Sequence, residues 1–200
     1  MLAGCDMRVP PGSQNYKTTP VSVRQAALYK LTYWKISGAL SIQQTGKKPE
    51  IANYDWSQLD KGYRIQVASA LNLYQVEIFR TQGSVTLWKN GTQVTTAKTP
   101  ENLMQNALGW SLPVHALSDW IKGVPIPQKN KLFHAQYDVY GHLTTLDQDG
   151  WTLRYGAYKT EDGYDLPQSI VMQRPGFSVN IVVKNWLLMM HPYMTPSVLP

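Results

Sequence analysis

The stretch Ile51-Ala52-Asn53-Tyr54-Asp55-Trp56-Ser57, with Tyr63-Arg64-Ile65-Gln66-Val67 just after it, decides the fold. In an extended chain Ala52, Tyr54 and Trp56 fall on one side, and Asn53 and Asp55 on the other. Tyr63, Ile65 and Val67 repeat the pattern. Both segments therefore read as half-buried strands. Upstream, Gly38–Gln43 alternates with Leu40 and Ile42 on one face. Downstream, Tyr74–Ile78 gathers Tyr74, Val76 and Ile78. Ser84–Lys89, carrying Val85 and Leu87, and Thr92–Lys98 flank Asn90-Gly91, a pair suited to the type I′ hairpin turn. Asn90-Gly91-Thr92 also matches a glycosylation acceptor, but the turn explains it without sugar.

Further out, helical signals interrupt. Thr19-Pro20 offers a cap and then a Pro at the first helical position, after which Val21, Gln25, Leu28 and Leu31 fall near one face. Thr99-Pro100-Glu101 opens a second helix with a Leu103, Ala107, Leu108 stripe, ended by Gly109. Pro113 opens a third, with Leu117, Trp120 and Ile121 at helical spacing and Gly123 at its close. Strands return at Lys131–Val139, His142–Leu146, Trp151–Tyr158 (with Trp151 and Leu153), Gln168–Gln173 and Phe177–Lys184. Tyr140-Gly141, Asp149-Gly150, Asp162-Gly163 and Pro175-Gly176 separate them. Short strands joined by tight turns imply antiparallel meanders. The predicted fold is mainly β (α+β). A single curled antiparallel sheet forms a half-open barrel, and helices cover an apolar cavity.

At 200 residues the chain suits one domain, with tails at 1–18 and 187–200 around a body at 19–186. Hydrophobic residues at 43% against 16% charged are enough for a core. The formal charge of +6 admits an anionic partner, but Lys and Arg are scattered, so no nucleic-acid partner is expected. Seven Trp and twelve Tyr against three Phe favour surfaces that are half wet and half apolar. The lone Cys5 excludes a disulfide framework. No apolar run approaches the roughly 20 residues of a membrane span.

Catalytic patterns are missing. His115, His134, His142 and His191 lack metal-ligand spacing, and no second cysteine helps them, so neither metal nor cofactor is expected. His134 and His142 read as ordinary polar residues of a hairpin. There is no Gly-x-Ser-x-Gly elbow and no phosphate loop. Asp147 and Asp149 flank a turn, where Asp is common anyway. The chain is not expected to be an enzyme.

Two features ask for more. Leu2-Ala3-Gly4-Cys5 looks like a bacterial lipoprotein processing site, in which Cys5 would become the acylated first mature residue; the other reading is a chance tetrapeptide with a free thiol. The positive and apolar regions of a signal peptide do not fit into four residues, so either the start is truncated or the protein is not exported. The connection Ala70-Leu71-Asn72 places a Leu where hairpin loops are polar. Leu71 is either a strand end tucked into the core or an exposed apolar tip.

The order and spacing of further pieces resemble the LolB family, the outer-membrane lipoprotein receptors of Gram-negative bacteria. The pieces are Trp34-Lys35-Ile36-Ser37-Gly38-Ala39-Leu40, Tyr54-Asp55-Trp56-Ser57-Gln58 and Tyr63-Arg64-Ile65. The longest runs from Gly109-Trp110-Ser111-Leu112-Pro113 through Leu117 and Asp119-Trp120-Ile121-Lys122-Gly123 to Pro125. Trp151 to Tyr155 and Val183-Lys184-Asn185-Trp186 follow, so the likeness runs from about Tyr33 to Trp186. Where the family loop reads Pro-Leu-Gly, this chain has Ala70-Leu71-Asn72. The resemblance implies a periplasm-facing, lipid-anchored outer-membrane protein with its acyl chains on Cys5. It implies that acylated lipoproteins are accepted from a LolA-like periplasmic carrier and placed in the inner leaflet of the outer membrane. It further implies that Leu71 is the membrane-facing tip.

Candidate lining for the acyl chains is Leu40, Ile42, Tyr54, Trp56, Ile65 and Val67, then Val76, Ile78, Val85 and Leu87. Leu103, Leu117, Trp120, Trp151 and Leu153 complete it. The protein is expected to work as a monomer and without nucleotide. A carbohydrate-binding β module, or a lipid-binding lipoprotein with another cargo, are the alternatives.

Overall fold

The computed structural model describes residues 16–69, 75–81, 83–127 and 133–189. The chain order is α1 (Val21–Tyr29), β1 (Tyr33–Gln44), β2 (Glu50–Leu59), β3 (Gly62–Ser69), β4 (Gln75–Thr81), β5 (Ser84–Lys89) and β6 (Thr92–Ala97). Then come α2 (Pro100–Leu108), α3 (Val114–Trp120), β7 (His134–Tyr137), β8 (Leu143–Gln148) and β9 (Trp151–Tyr155). The chain ends with β10 (Tyr158–Glu161), β11 (Tyr164–Pro167), β12 (Ser169–Arg174) and β13 (Phe177–Leu188).

Eleven strands form one antiparallel sheet in the order β6-β5-β4-β3-β2-β1-β13-β12-β9-β8-β7. β10 and β11 pair separately. The sheet is thus two meanders joined where the last strand returns to the first, from Gln44↔Phe177 to Trp34↔Leu188. It ends on β6 and β7 and does not close. The link between those edges carries α2 and α3, so the helices lie across the inner face.

Alternation makes the strands. In β1 every second residue from Trp34 to Ile42 is buried. Asn90 (φ 49°) and Gly91 (φ 78°) both take the positive angles of a type I′ turn, and Asp149-Gly150 and Asp162-Gly163 do likewise. Gly38 is a different case. A Cβ there would lie 1.9 Å from the Val182 carbonyl oxygen, and β1 and β13 slip register at Ser37/Gly38. Only glycine lets the two strands approach this closely.

Some expectations need correction. Pro20 occupies the cap of α1 rather than its first turn, and the Thr19 hydroxyl donates to the Lys17 carbonyl instead of capping. The expected strand Trp151–Tyr158 breaks at Gly156, whose position would bring a Cβ within 2.1 Å of Ser169 Oγ. The last strand continues past Lys184 to Leu188, so Leu187 and Leu188, assigned to a tail, pair with Lys35 and Trp34.

Most of the tryptophans do not decorate a wet surface; Trp88 is the exposed exception. Trp34, Trp56, Trp110, Trp120 and Trp151 are buried. Trp34 stacks obliquely with Trp56 at 5.1 Å and Trp186 at 5.6 Å. Their polar handles are used inside. Trp56 Nε1 donates to Gln58 Oε1, Trp120 Nε1 to Gln148 Oε1 and Trp186 Nε1 to the Pro167 carbonyl. A Phe in each place would remove those donors, although Gln148 Oε1 would still accept the Ile126 backbone N–H.

Candidate functional site: an apolar cavity beneath two helices

Strand register builds the floor. Ile36 pairs with Trp56, Trp56 with Ile65 and Ile65 with Ile78, one row across four strands. A second row runs Tyr54, Val67, Val76. Leu40 and Ile181 pair beside them. The roof is Met104 of α2, Trp110 and Leu112 of the link, Val114 and Leu117 of α3, and Ile121. Together these residues enclose a cavity of about 50 Å³. Among the polar groups on these side chains, Trp56 Nε1 donates to Gln58 Oε1 and the Tyr54 hydroxyl donates to the Val182 carbonyl at 3.2 Å. Burial, and then the nearby Asp55 charge, push the Tyr54 phenol far above its ordinary range, so it stays neutral. A wall of this kind holds apolar matter and offers no acid, base or nucleophile.

Of the residues expected to line a cavity, Leu40, Tyr54, Trp56, Ile65, Val67, Val76, Ile78 and Leu117 come together here. Ile42, Val85, Leu87, Leu103, Trp120, Trp151 and Leu153 do not; all are buried in the packed core. Val85 and Leu87 are buried on the same side of the sheet, and α2 packs on their strand β5 and on β6. Trp151 packs edge-on to Phe177, with the Arg174 guanidinium 4.7 Å above its ring. Cys5 and Ala70, Leu71, Asn72 lie outside the described residues. Sequence reading passed over Ile36, Met104, Trp110, Leu112, Val114, Ile121 and Ile181. Alternation extended back from Leu40 finds Ile36, and alternation within Phe177–Lys184 finds Ile181.

The two roof helices are tied at their starts. Glu101 in the first turn of α2 accepts the Val114 backbone N–H at 3.1 Å, and its carboxylate lies 3.4 Å from His115 Nδ1. Burial alone would raise the Glu101 acid, yet the hydrogen bonds from His115 and the backbone hold it below its usual value. The same hydrogen bond raises His115. The far end of α3 is held by Lys122, a buried cation that pairs with Asp119 at 3.1 Å and donates to the Leu31 carbonyl.

A second polar group lies away from the cavity. His142, 1% exposed, sits between Asp138 at 2.9 Å and Asp165 at 3.1 Å and stacks on Tyr158. It is no ordinary hairpin residue. Arg24 of α1 reaches Asp165 at 2.9 Å, and the Tyr16 hydroxyl donates to the Tyr158 carbonyl. This cluster fastens the N-terminal stem to β10–β11.

A protein-family model described as "Outer membrane lipoprotein LolB" matches residues 32–186. The chain belongs to the LolB family. A curated relative from Coxiella burnetii (strain RSA 493 / Nine Mile phase I), named outer-membrane lipoprotein LolB, is 42% identical over 93% of this chain and 88% of its own. Proteins of the same name from Chromohalobacter salexigens and Nitrosococcus oceani are 31% and 32% identical, over 94% of this chain and 86% and 92% of theirs. Among solved structures, a LolA superfamily protein from Nitrosomonas europaea superposes with a TM-score of 0.53 at 10% identity, over 90% of this chain and all of that one. A DUF1329 family protein from Desulfovibrio piger gives 0.54 at 12% identity, over 90% of this chain and 96% of that one. At such identities these two likenesses speak for the fold alone. Among the described residues of this LolB-family chain, no helix is long and apolar enough to cross a membrane.

Proposed function

We propose that the protein receives acylated lipoproteins from a LolA-like periplasmic carrier, shelters their acyl chains in the cavity, and releases them into the inner leaflet of the outer membrane. It acts as a monomer, without nucleotide and without catalysis. The single observation that carries this reading is the cavity between the Ile36–Trp56–Ile65–Ile78 row and the helices, lined by apolar side chains.

Each acyl CH₂ left in water costs about 0.8 kcal/mol, so a lipoprotein in transit needs continuous cover. Transfer runs downhill if this cavity binds the chains better than the carrier does and less well than the bilayer. At about 50 Å³ the cavity has room for a few waters and not for an acyl chain. Entry therefore displaces α2 and α3 from the sheet, and Met104 in α2 suits such a surface because its side chain adapts to varied shapes. Acyl chains on Cys5 tether the domain at its destination, where two chains or more give stable anchoring. Leu71 is the tip that enters the membrane; full burial of a Leu is worth about 1.5–3 kcal/mol, enough to orient a tethered domain. A sugar-stacking module would need exposed aromatic faces, and the burial of five of the seven tryptophans speaks against one.

The test is a two-step transfer. Labelled lipoprotein held by a LolA-like carrier is mixed with the protein, and then with vesicles. Cargo should move to the protein and on to the vesicles without nucleotide. Leu71→Glu should keep the first step and lose the second. Cargo that stays on the carrier while the protein is folded would sink the proposal.

A further inference from the structure

The chain leaves the roof through Gly123-Val124-Pro125-Ile126-Pro127. Proline has a fixed φ and no N–H, so Ile126 carries the one backbone donor of Pro125-Ile126-Pro127. Such a run is poorly suited to the ladder of a sheet. A side chain takes the place of the ladder. Gln148, the last residue of β8 and 3% exposed, accepts the Ile126 N–H at 2.8 Å and donates through Nε2 to the Ile126 carbonyl at 3.0 Å. Its Oε1 also accepts Trp120 Nε1 at 2.9 Å. Indole and backbone N–H groups only donate, which fixes the way round that the Gln148 amide sits. One buried amide therefore ties the end of α3 and the exit segment to one point of the sheet.

Neighbouring ties fall at the same end. The Tyr155 hydroxyl donates to the Trp120 carbonyl at 3.0 Å, and the Tyr29 hydroxyl to the Pro125 carbonyl at 2.7 Å. The α2 side is held differently. Gln44 Nε2 reaches the Gly109 carbonyl at 3.4 Å, longer than the usual range, and Gln44 Oε1 is buried without a partner among the described residues. α2 adds the apolar side chains Leu103 and Met104, buried in the core. Apolar contacts can shift and re-form, whereas a buried hydrogen bond that breaks leaves two polar groups unpaired. The roof therefore yields first on its α2 side.

We infer that Gln148 is a positioning residue for acyl-chain binding: it makes the α3 end of the roof a fixed pivot, so the roof opens on its α2 side while Leu117 and Ile121 keep their place over a bound chain. The inference rests on the acyl-chain reading of the cavity given above.

Gln148→Met keeps an unbranched side chain of similar bulk and removes the amide. Gln44→Met loosens the α2 side, and Leu153→Val lowers stability in packed core outside the cavity. The full chain and these variants would be mixed with a synthetic diacylated lipopeptide, with rates of uptake and release, amide protection and denaturation midpoint as readouts. In the parent, binding should alter protection of the Gly109 N–H, which donates to the Gln105 carbonyl at 3.1 Å, and leave Ile126 unchanged. Gln148→Met should lower protection at Ile126 about tenfold, as the loss of one to two net hydrogen bonds implies. It should bind the lipopeptide about fivefold more weakly, mainly through faster release, because a loose wall must be ordered on binding. Gln44→Met should speed uptake and release alike and leave affinity near the parent's. Tyr155→Phe, which frees only the Trp120 carbonyl, should follow Gln148→Met in smaller measure and serves if that variant does not fold. Parent affinity in Gln148→Met despite a freed Ile126 amide would overturn the role of Gln148 and leave the cavity reading standing. So would an unchanged Ile126 amide in that variant, or a shift at Ile126 when the parent binds. Equal loss of affinity in Leu153→Val at an equal fall in stability would overturn it too, by making Gln148 merely structural. A folded parent that ignores the lipopeptide would remove the cavity reading and this inference with it.

Discussion

Gly38 faces the same side as Tyr54, its pairing partner, and has no side chain to contribute. What it contributes is an absence. The Val182 carbonyl occupies the space of its Cβ, and Val182 C and Lys184 N lie 3.0 and 3.2 Å from that point. All three are backbone atoms, so a methyl group cannot be accommodated by a side-chain rotation. Gly38→Ala must push apart β1 and β13, the pair that joins the two meanders. The expected cost is about 2 kcal/mol or more, in the range of overpacked cores. A denaturation midpoint unchanged from the parent would show that the strands separate freely there. The same reasoning separates Gly38 from Gly91, where a Cβ would meet nothing within 4 Å and only the positive φ matters.

At the scale of elements, the α2–α3 roof is a pair of short helices joined by Glu101. The sign of its pH response follows from the two shifts. Glu101 is lowered on folding, so its contribution is present above about pH 4.5 and fades as pH falls through its folded value. His115 is raised, so its contribution is complete below about pH 6.5 and is lost as pH rises through its folded value. The link is therefore tightest in mildly acidic solution. Protection of the α3 amides, taken relative to the intrinsic base-catalysed exchange rate at each pH, should be greatest there and should fall toward alkaline pH. His115 is more than half exposed, so solvent screening keeps the effect small. His115→Ala should remove the alkaline arm and leave the Val114 hydrogen bond intact. An α3 exchange profile identical in parent and variant would dissociate this ion pair from roof stability. Opening of the same roof would govern acyl-chain entry, so cargo uptake should follow the exchange rate.

For the molecule as a whole, period-two alternation and the Asn-Gly and Asp-Gly turns made the single antiparallel sheet legible, because those signals are local. The separate β10–β11 hairpin was not, because its departure from β9 depends on the contact between Gly156 and Ser169, which is set only when β12 arrives. The cavity was half legible for a related reason. Alternation says which side chains face inward, but it does not say where a helix lies on that face, and that alone separates Val76 and Ile78 from Val85 and Leu87. The buried indoles follow the same logic: their acceptors, Gln58, Gln148 and Pro167, come from distant or neighbouring segments that sequence does not rank. This placement yields a direct test of occupancy. Trp56 and Trp110 line the cavity, while Trp34, Trp120 and Trp151 are packed elsewhere and Trp88 stands at the surface. A lipoprotein with brominated acyl chains should quench emission from the first two on contact. Replacing both by Phe should remove most of the quenching, whereas Trp88→Phe should not. An oligosaccharide should leave the spectrum unchanged. Quenching that survives loss of Trp56 and Trp110 but vanishes with Trp88 would move the lipid contact to the outer face of β5 and leave the cavity an ordinary packing fault.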